Sequence, residues 1–269
     1  MRTTRSESVA THALLVLASV VAVFPLASVV VSSLHGVAGA PRGASFSAYS
    51  TAWTQGRFGS ALLSSALVSV TVVAVTVLLS ALAGYALATM RVPGAKIIVG
   101  LLLLGLVLPY EVTVLPLYQL LTGWHLIDTY WALILPQIAL SVPLGVLWMR
   151  SFFASVPVSL LEAARIDGTS RLQTLRLVLL PLAGPAVATL GTVLFLFTWN
   201  EFLLALVLVP DNAAVQTVPL ALSFFSGAAR SSDPAVTAAA AVLVALPVLL
   251  AYVFLQRRLI SGLTEGAVK

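Results

Sequence analysis

Long apolar runs, separated by short polar or Gly/Pro-containing breaks, dominate this chain. Six are long enough for a helix to cross a bilayer: Ala13–Val31, Ala61–Met90, Ile97–Leu121, Tyr130–Met149, Val178–Val209 and Val236–Leu255. A hydrocarbon core requires roughly 20 such residues. The pattern predicts an all-α membrane protein with six transmembrane helices. The layout it predicts is a cytoplasmic tail over 1–12, a membrane domain over 13–255 with a polar loop at 150–177, and a second cytoplasmic tail over 256–269. The second, third and fifth runs exceed the length a span needs, which predicts tilt or a portion outside the lipid. The first run has two readings. Arg2 and Arg5 with Ala38-Gly39-Ala40 resemble a cleaved signal peptide, but the apolar stretch is too long and the small-residue site lies well past its end. A retained anchor fits better.

Composition supports the membrane reading and removes several chemistries. Sixty per cent of the 269 residues are hydrophobic and 9% are charged, against about 25% charged in soluble domains. With no cysteine, thiolate metal sites, disulfides and cysteine nucleophiles are excluded. His12, His35 and His125 lie too far apart in sequence to form a metal-ligand spacing. The formal charge of +5 reflects topology rather than nucleic-acid binding. With the N-terminus inside, eleven of the fourteen Lys and Arg fall in cytoplasmic segments, leaving only Arg42, Arg57 and Arg230 outside. That is a positive-inside bias, and it predicts that both termini are cytoplasmic. Prolines within or at the ends of spans (Pro25, Pro109, Pro116, Pro136, Pro143, Pro181, Pro185, Pro247) free backbone carbonyls that need partners in lipid. Ordinary bundle packing and helices that bend in a working cycle both account for them. Ala81, Ala83, Gly84 and Ala86 permit close helix contact.

The loop after the fourth run carries the most information. Ser159 and Glu162 have the spacing of a capping box, which predicts a short helix starting there. Gly168 supplies a left-handed residue to close it. Ser170 and Gln173 form a second box that opens the next helix, running toward Pro181. Ala163 and Ala164 present almost no bulk, so another protein's surface could approach closely.

Glu162-Ala163-Ala164, three residues, Gly168, nine residues, Val178 and then Leu180-Pro181 resembles the E-A-A-x3-G-x9-I-x-L-P loop of ABC importer permeases, with valine where isoleucine is usual. Thr198-Trp199-Asn200-Glu201-Phe202 resembles a segment common in carbohydrate-importer permeases. The tail from Gln256 to Lys269 resembles the ending of the maltose-type "G" permeases, and Leu82–Gly94 resembles their second-span exit. The resemblance implies the type I importer fold, with the loop as a coupling helix that docks on a separate ATPase dimer through Glu162, Ala163, Ala164, Asp167 and Gly168. It also implies a second, homologous permease subunit, an external sugar-binding protein and a carbohydrate substrate, in a cell inner membrane. No G-x-x-x-x-G-K-S/T phosphate loop exists, and the only lysines are Lys96 and Lys269. The chain is therefore expected to be a transport subunit rather than an enzyme, with no cofactor of its own and ATP held by its partner.

Two acids fall at membrane depth, where ionisable groups are costly and functional by default. Glu111 is placed near mid-membrane, and Glu201 nearer the outer end of its span beside Asn200. Packing or gating is the favoured role for them over direct substrate contact. A transporter that works alone would be expected to show an inverted repeat or paired broken helices with ion-binding groups. No such repeat is seen, and a lone transporter would have no need of the capped loop. An assembly protein without transport is the other alternative, and co-purification of an ATPase distinguishes both.

Overall fold

A computed structural model describes residues 5–35, 44–226 and 233–267, of which 5–10 and 254–267 are described as backbone only. The expectations placed on Arg2, Ala38–Ala40, Arg42, Arg230 and Lys269 lie outside these residues. The described chain is helical. Apart from an isolated bridge between His35 and Ala44, no β-pairing occurs among the described residues.

Among the described residues, four helices are long and apolar enough to cross a membrane unbroken, over Thr11–Ser33, Phe58–Thr89, Tyr130–Ser155 and Pro234–Val253. They belong to α1 (Arg5–Ser33), α3 (Phe58–Thr89), α6 (Tyr130–Ser155) and α12 (Pro234–Ala267). The third and fifth predicted runs are broken. In the third, α4 (Ala95–Val107) meets a 3-10 turn and α5 (Val114–Gly123) at a 93° bend. Pro109 causes it: the residue before a proline is driven out of the α region, and Leu108 is extended at φ −69°, ψ 127°. In the fifth, α8 (Arg171–Leu182) meets α9 (Gly184–Trp199) at 77°. Pro181 and Pro185 flank that break, and a π turn at Thr174–Leu179 widens the helix just before Pro181, whose ring would crowd the carbonyl one turn back. The end of the fifth run is a separate short helix, α10 (Leu203–Leu208). Breaks therefore take up the excess length of these two runs, while the second is one 32-residue helix. Pro25, Pro136, Pro143 and Pro247 sit inside unbroken helices.

The chain divides into two compact units, 1–59 with 221–247, and 60–220 with 248–269. In the first, the Ser33 and Tyr49 hydroxyls lie 2.7 Å apart, which ties α1 to α2 (Ser47–Gln55). Phe58 stacks on Phe225 of α11 (Val218–Ser226), with ring centroids 6.2 Å apart. A side chain at Gly56 would collide with both rings.

The second unit holds the main packing. Ala81, Tyr85, Met149, Phe153, Leu179 and Leu190 form one buried cluster between α3, α6, α8 and α9. Ser80 and Gly84 of α3, one turn apart, face Gly145 and Met149 of α6, also one turn apart. A methyl at Gly84 would lie 2.8 Å from the Arg150 backbone nitrogen, and one at Gly145 would overlap the Ser80 hydroxyl. Without a hydrophobic drive between helices in lipid, such close approach supplies the dispersion that holds spans together. Trp148 donates to the Ala186 carbonyl at 3.1 Å and joins α6 to α9. Large exposed apolar side chains such as Ile97, Leu101 and Leu177 suit a lipid-facing surface.

Candidate functional site

The polar loop folds as α7 (Val158–Ile166), a glycine corner and the start of α8. The helix begins earlier than the Ser159–Glu162 spacing suggests. Val156 precedes a proline and is extended (ψ 133°), Pro157 occupies the N-cap, and Val158 is the first helical residue. Ser159 is thus inside the first turn, with no side-chain cap bond, and Glu162 lies two residues beyond the position from which it could reach back. Proline supplies the start because its lack of an N–H costs nothing where the first amides are unpaired anyway.

The far end closes as a Schellman motif. Gly168 has φ +75°, its N–H donates to the Arg165 carbonyl at 3.0 Å, and the Thr169 N–H donates to the Ala164 carbonyl at 3.1 Å. The Thr169 hydroxyl adds a second donor to that carbonyl at 2.6 Å. Both halves of the Ser170–Gln173 box are present: Ser170 N–H to Gln173 Oε1 at 2.8 Å and Gln173 N–H to Ser170 Oγ at 3.4 Å. Glu162, Ala163, Asp167 and Gly168 are exposed, as is Ile166 at 86%. Ala164 is 5% exposed and turned into the chain's own core, so of the two alanines only Ala163 offers a bulk-free outer surface.

These two helix starts separate in a test. Ser170→Ala removes a formed cap and should cost about 1 kcal/mol of local stability, seen as several-fold faster hydrogen exchange of the amides at 171–173. Ser159→Ala removes no cap bond and should leave exchange through α7 unchanged. Equal effects would contradict the assigned start of α7.

The membrane acids converge. A cavity of about 820 Å³ opens between the break of the third run, α6 and the end of α9, lined among others by Tyr110, Glu111, Gln137, Ser141, Asn200 and Glu201. Glu201 Oε1 accepts the Leu204 N–H at 2.9 Å and so holds the first turn of α10. Asn200 donates to the Leu196 carbonyl at 2.8 Å and closes α9. Glu111 is exposed to the cavity. Glu201 and Asn200 therefore both pair with the backbone, and Glu111 is the carboxylate most open to solvent there.

Sequence reasoning passed over several residues that shape this region. Gln137 lines the cavity at 6% exposure, and its polarity inside an apolar run was the available signal. Asp128, at φ +61°, accepts the Asp211 and Asn212 N–H groups, both at 3.0 Å, on one carboxylate oxygen, and its carbonyl accepts Asn212 Nδ2 at 2.9 Å. Ser64 donates to the Ala214 carbonyl and Ser65 Oγ accepts the Val218 N–H. These bonds clamp the 209–218 connection onto α3 and onto the α5–α6 loop. No group of three or more metal-ligating side chains occurs among the described residues.

Comparison with known proteins meets this geometry. A family model described as binding-protein-dependent transport system inner membrane component matches residues 80–264. The trehalose transport system permease protein SugB of Mycobacterium tuberculosis is 37% identical over 183 residues, 68% of this chain and 66% of its own length. The alignment thus spans just under two thirds of that relative. The diacetylchitobiose uptake system permease protein NgcG of Streptomyces coelicolor is 32% identical over 265 residues, 96% of this chain and 88% of its own. Among solved structures, a bacterial ABC transporter involved in the import of the acidic polysaccharide alginate superposes with a TM-score of 0.76. That match covers 96% of this chain and 99% of the other at 22% identity, a likeness of fold. Six apolar runs, an exposed helix–glycine corner between the fourth and fifth, and a family match across 80–264 lead to one conclusion: this chain belongs to the binding-protein-dependent transport system inner membrane components.

Proposed function

We propose that the chain is the permease subunit of an ATP-driven carbohydrate importer and forms half of its translocation pathway. Its partners are an ABC ATPase dimer, a second homologous permease and an external sugar-binding protein, and both of its termini are cytoplasmic. The observation that carries the reading is α7 with its Schellman corner: a short helix with Glu162, Ala163 and Ile166 exposed, held rigidly to α8 by Gly168 and the Ser170–Gln173 box. A bulk-free surface on a stiff lever suits the transfer of a push from a closing ATPase to the spans behind it. The names of the trehalose and diacetylchitobiose relatives support a carbohydrate as cargo. The cavity supports it too, because Gln137, Ser141 and Glu111 offer the mixed donors and acceptors that sugar hydroxyls need. In this reading Glu111 lines the pathway, while Glu201 and Asn200 mainly hold its wall.

The test is chemical. With Ala163→Cys in the intact membrane, a short bifunctional reagent should crosslink the chain to an ATPase, and the yield should change with nucleotide. Deleting the chain should abolish ATP-dependent uptake of at least one member of a panel of neutral oligosaccharides. No crosslink in any nucleotide state would remove the coupling role. Crosslinking without any carbohydrate phenotype would keep the coupling and reject the cargo.

A further inference from the structure

A second cavity, of about 400 Å³, lies between the end of α3, α7 and the start of α8. We propose that it binds the phosphate of an anionic phospholipid. Three arginines line it, Arg91, Arg165 and Arg171, and no acidic residue does. Guanidinium forks match phosphate geometry better than any other side chain. Among the described residues Arg91 and Arg165 show no side-chain partner, and Arg171 makes only a 3.8 Å contact from Nη1 to Met90 Sδ.

A neutral group points the same way. Tyr85, 7% exposed, also lines the cavity; its ring is edge-on to Phe153 at 5.9 Å, and its hydroxyl makes no hydrogen bond among the described residues. An acceptor in the cavity gives that phenol a hydrogen-bond partner. The threonine hydroxyls of the lining do not compete for this role, since Thr89 donates to the Tyr85 carbonyl, Thr169 to the Ala164 carbonyl and Thr174 to the Ser170 carbonyl. The site is therefore built of cationic donors plus one neutral donor, which suits an anion.

Position selects a lipid over a soluble anion. Thr89 ends one span and Arg171 begins another, so the cavity sits where two spans leave the hydrocarbon, at headgroup depth. Leu172 and Leu177, 66% and 64% exposed on the same helix as Arg171, offer apolar surface for an acyl chain. Leu161 and Arg165, one helical turn apart, put the cavity on the side of α7 next to buried Ala164. Ala163 and Ile166 lie on other faces, so an ATPase docked there leaves the cavity to the bilayer. Such basic pockets between spans are where anionic headgroups lodge.

The proposal does not depend on the transport reading, because lipid retention is measured without transport. The full chain, purified with whatever subunits it carries, is placed in nanodiscs of phosphatidylcholine alone or mixed with phosphatidylglycerol. Retained lipid is counted by native mass spectrometry. Wild type should retain phosphatidylglycerol in preference to phosphatidylcholine. Arg91→Gln, Arg165→Gln and Arg171→Gln should each weaken retention on the order of tenfold, and Tyr85→Phe, which keeps the ring packing, by several-fold. Arg176→Gln, a cation on the same helix outside the lining, should retain lipid as wild type does. Equal retention by wild type and the triple arginine variant would overturn the proposal, and so would an equal loss in Arg176→Gln. Displacement of the lipid by millimolar inorganic phosphate would make this a free-anion site. Variants that keep the lipid but shed an associated ATPase would make it a protein contact.

Discussion

In the proposed importer, Gly168→Val should leave the chain inserted in the membrane at normal abundance and reduce substrate uptake and the ATP hydrolysis coupled to it by at least about tenfold. The reason is confined to one backbone angle. A Cβ at 168 meets nothing within 4 Å, so no neighbour is displaced, but φ is +75°. The left-handed region costs an L-residue roughly 1–2 kcal/mol, and a β-branched side chain more. The bonds opposing a change of conformation include the two Schellman bonds and those of the Thr169 hydroxyl with the Ala164 carbonyl and the Thr174 hydroxyl, each worth about 1 kcal/mol net. Loss of the corner unlatches α7 from α8 and leaves the spans intact. Gly168→Asn should retain much more activity, because asparagine tolerates this region. Equal uptake by the valine variant and wild type, measured with matched membrane abundance, would remove the corner from the coupling path.

Gly145→Leu and Gly84→Leu should fail at an earlier stage, with little monodisperse protein recovered from membranes by size-exclusion chromatography. At Gly84 the added carbon meets backbone, the Arg150 nitrogen at 2.8 Å and the Met149 carbonyl carbon at 3.0 Å, which cannot rotate away as a side chain would. At Gly145 it meets the Ser80 hydroxyl, itself buried with no partner. Overpacking a core costs about 1–3 kcal/mol where side chains can repack, and a backbone clash exceeds that because α3 and α6 must separate. Gly100 is the control. Nothing lies within 4 Å of its added carbon, and it sits on α4 among exposed apolar residues. Gly100→Leu should therefore be recovered at wild-type yield. Comparable recovery of Gly145→Leu would mean that the α3–α6 contact is looser than described.

Much of this protein was written into single segments. Six apolar runs are enough to specify an all-α membrane chain, since in lipid a lone segment must satisfy its own backbone and only a helix does so. Gly168 and the Ser170–Gln173 pair were legible for a similar reason: a left-handed turn and a capping box each close within one helical turn. The Ser159–Glu162 pair had the same spacing and formed nothing, because Pro157 set the helix start two residues earlier. A proline two positions upstream outranked a weak side-chain cap. Tertiary structure decided the rest. That a proline would break the third run at Pro109 while Pro136 and Pro143 stay inside an unbroken α6 depends on what neighbouring helices offer the freed carbonyls. The inward turn of Ala164, the gathering of Glu111, Gln137, Asn200 and Glu201 around one cavity, and the clamp of Asp128 on Asp211 and Asn212 all join residues from different segments. Such contacts depend on how helices rotate and cross, which packing settles and no local spacing encodes.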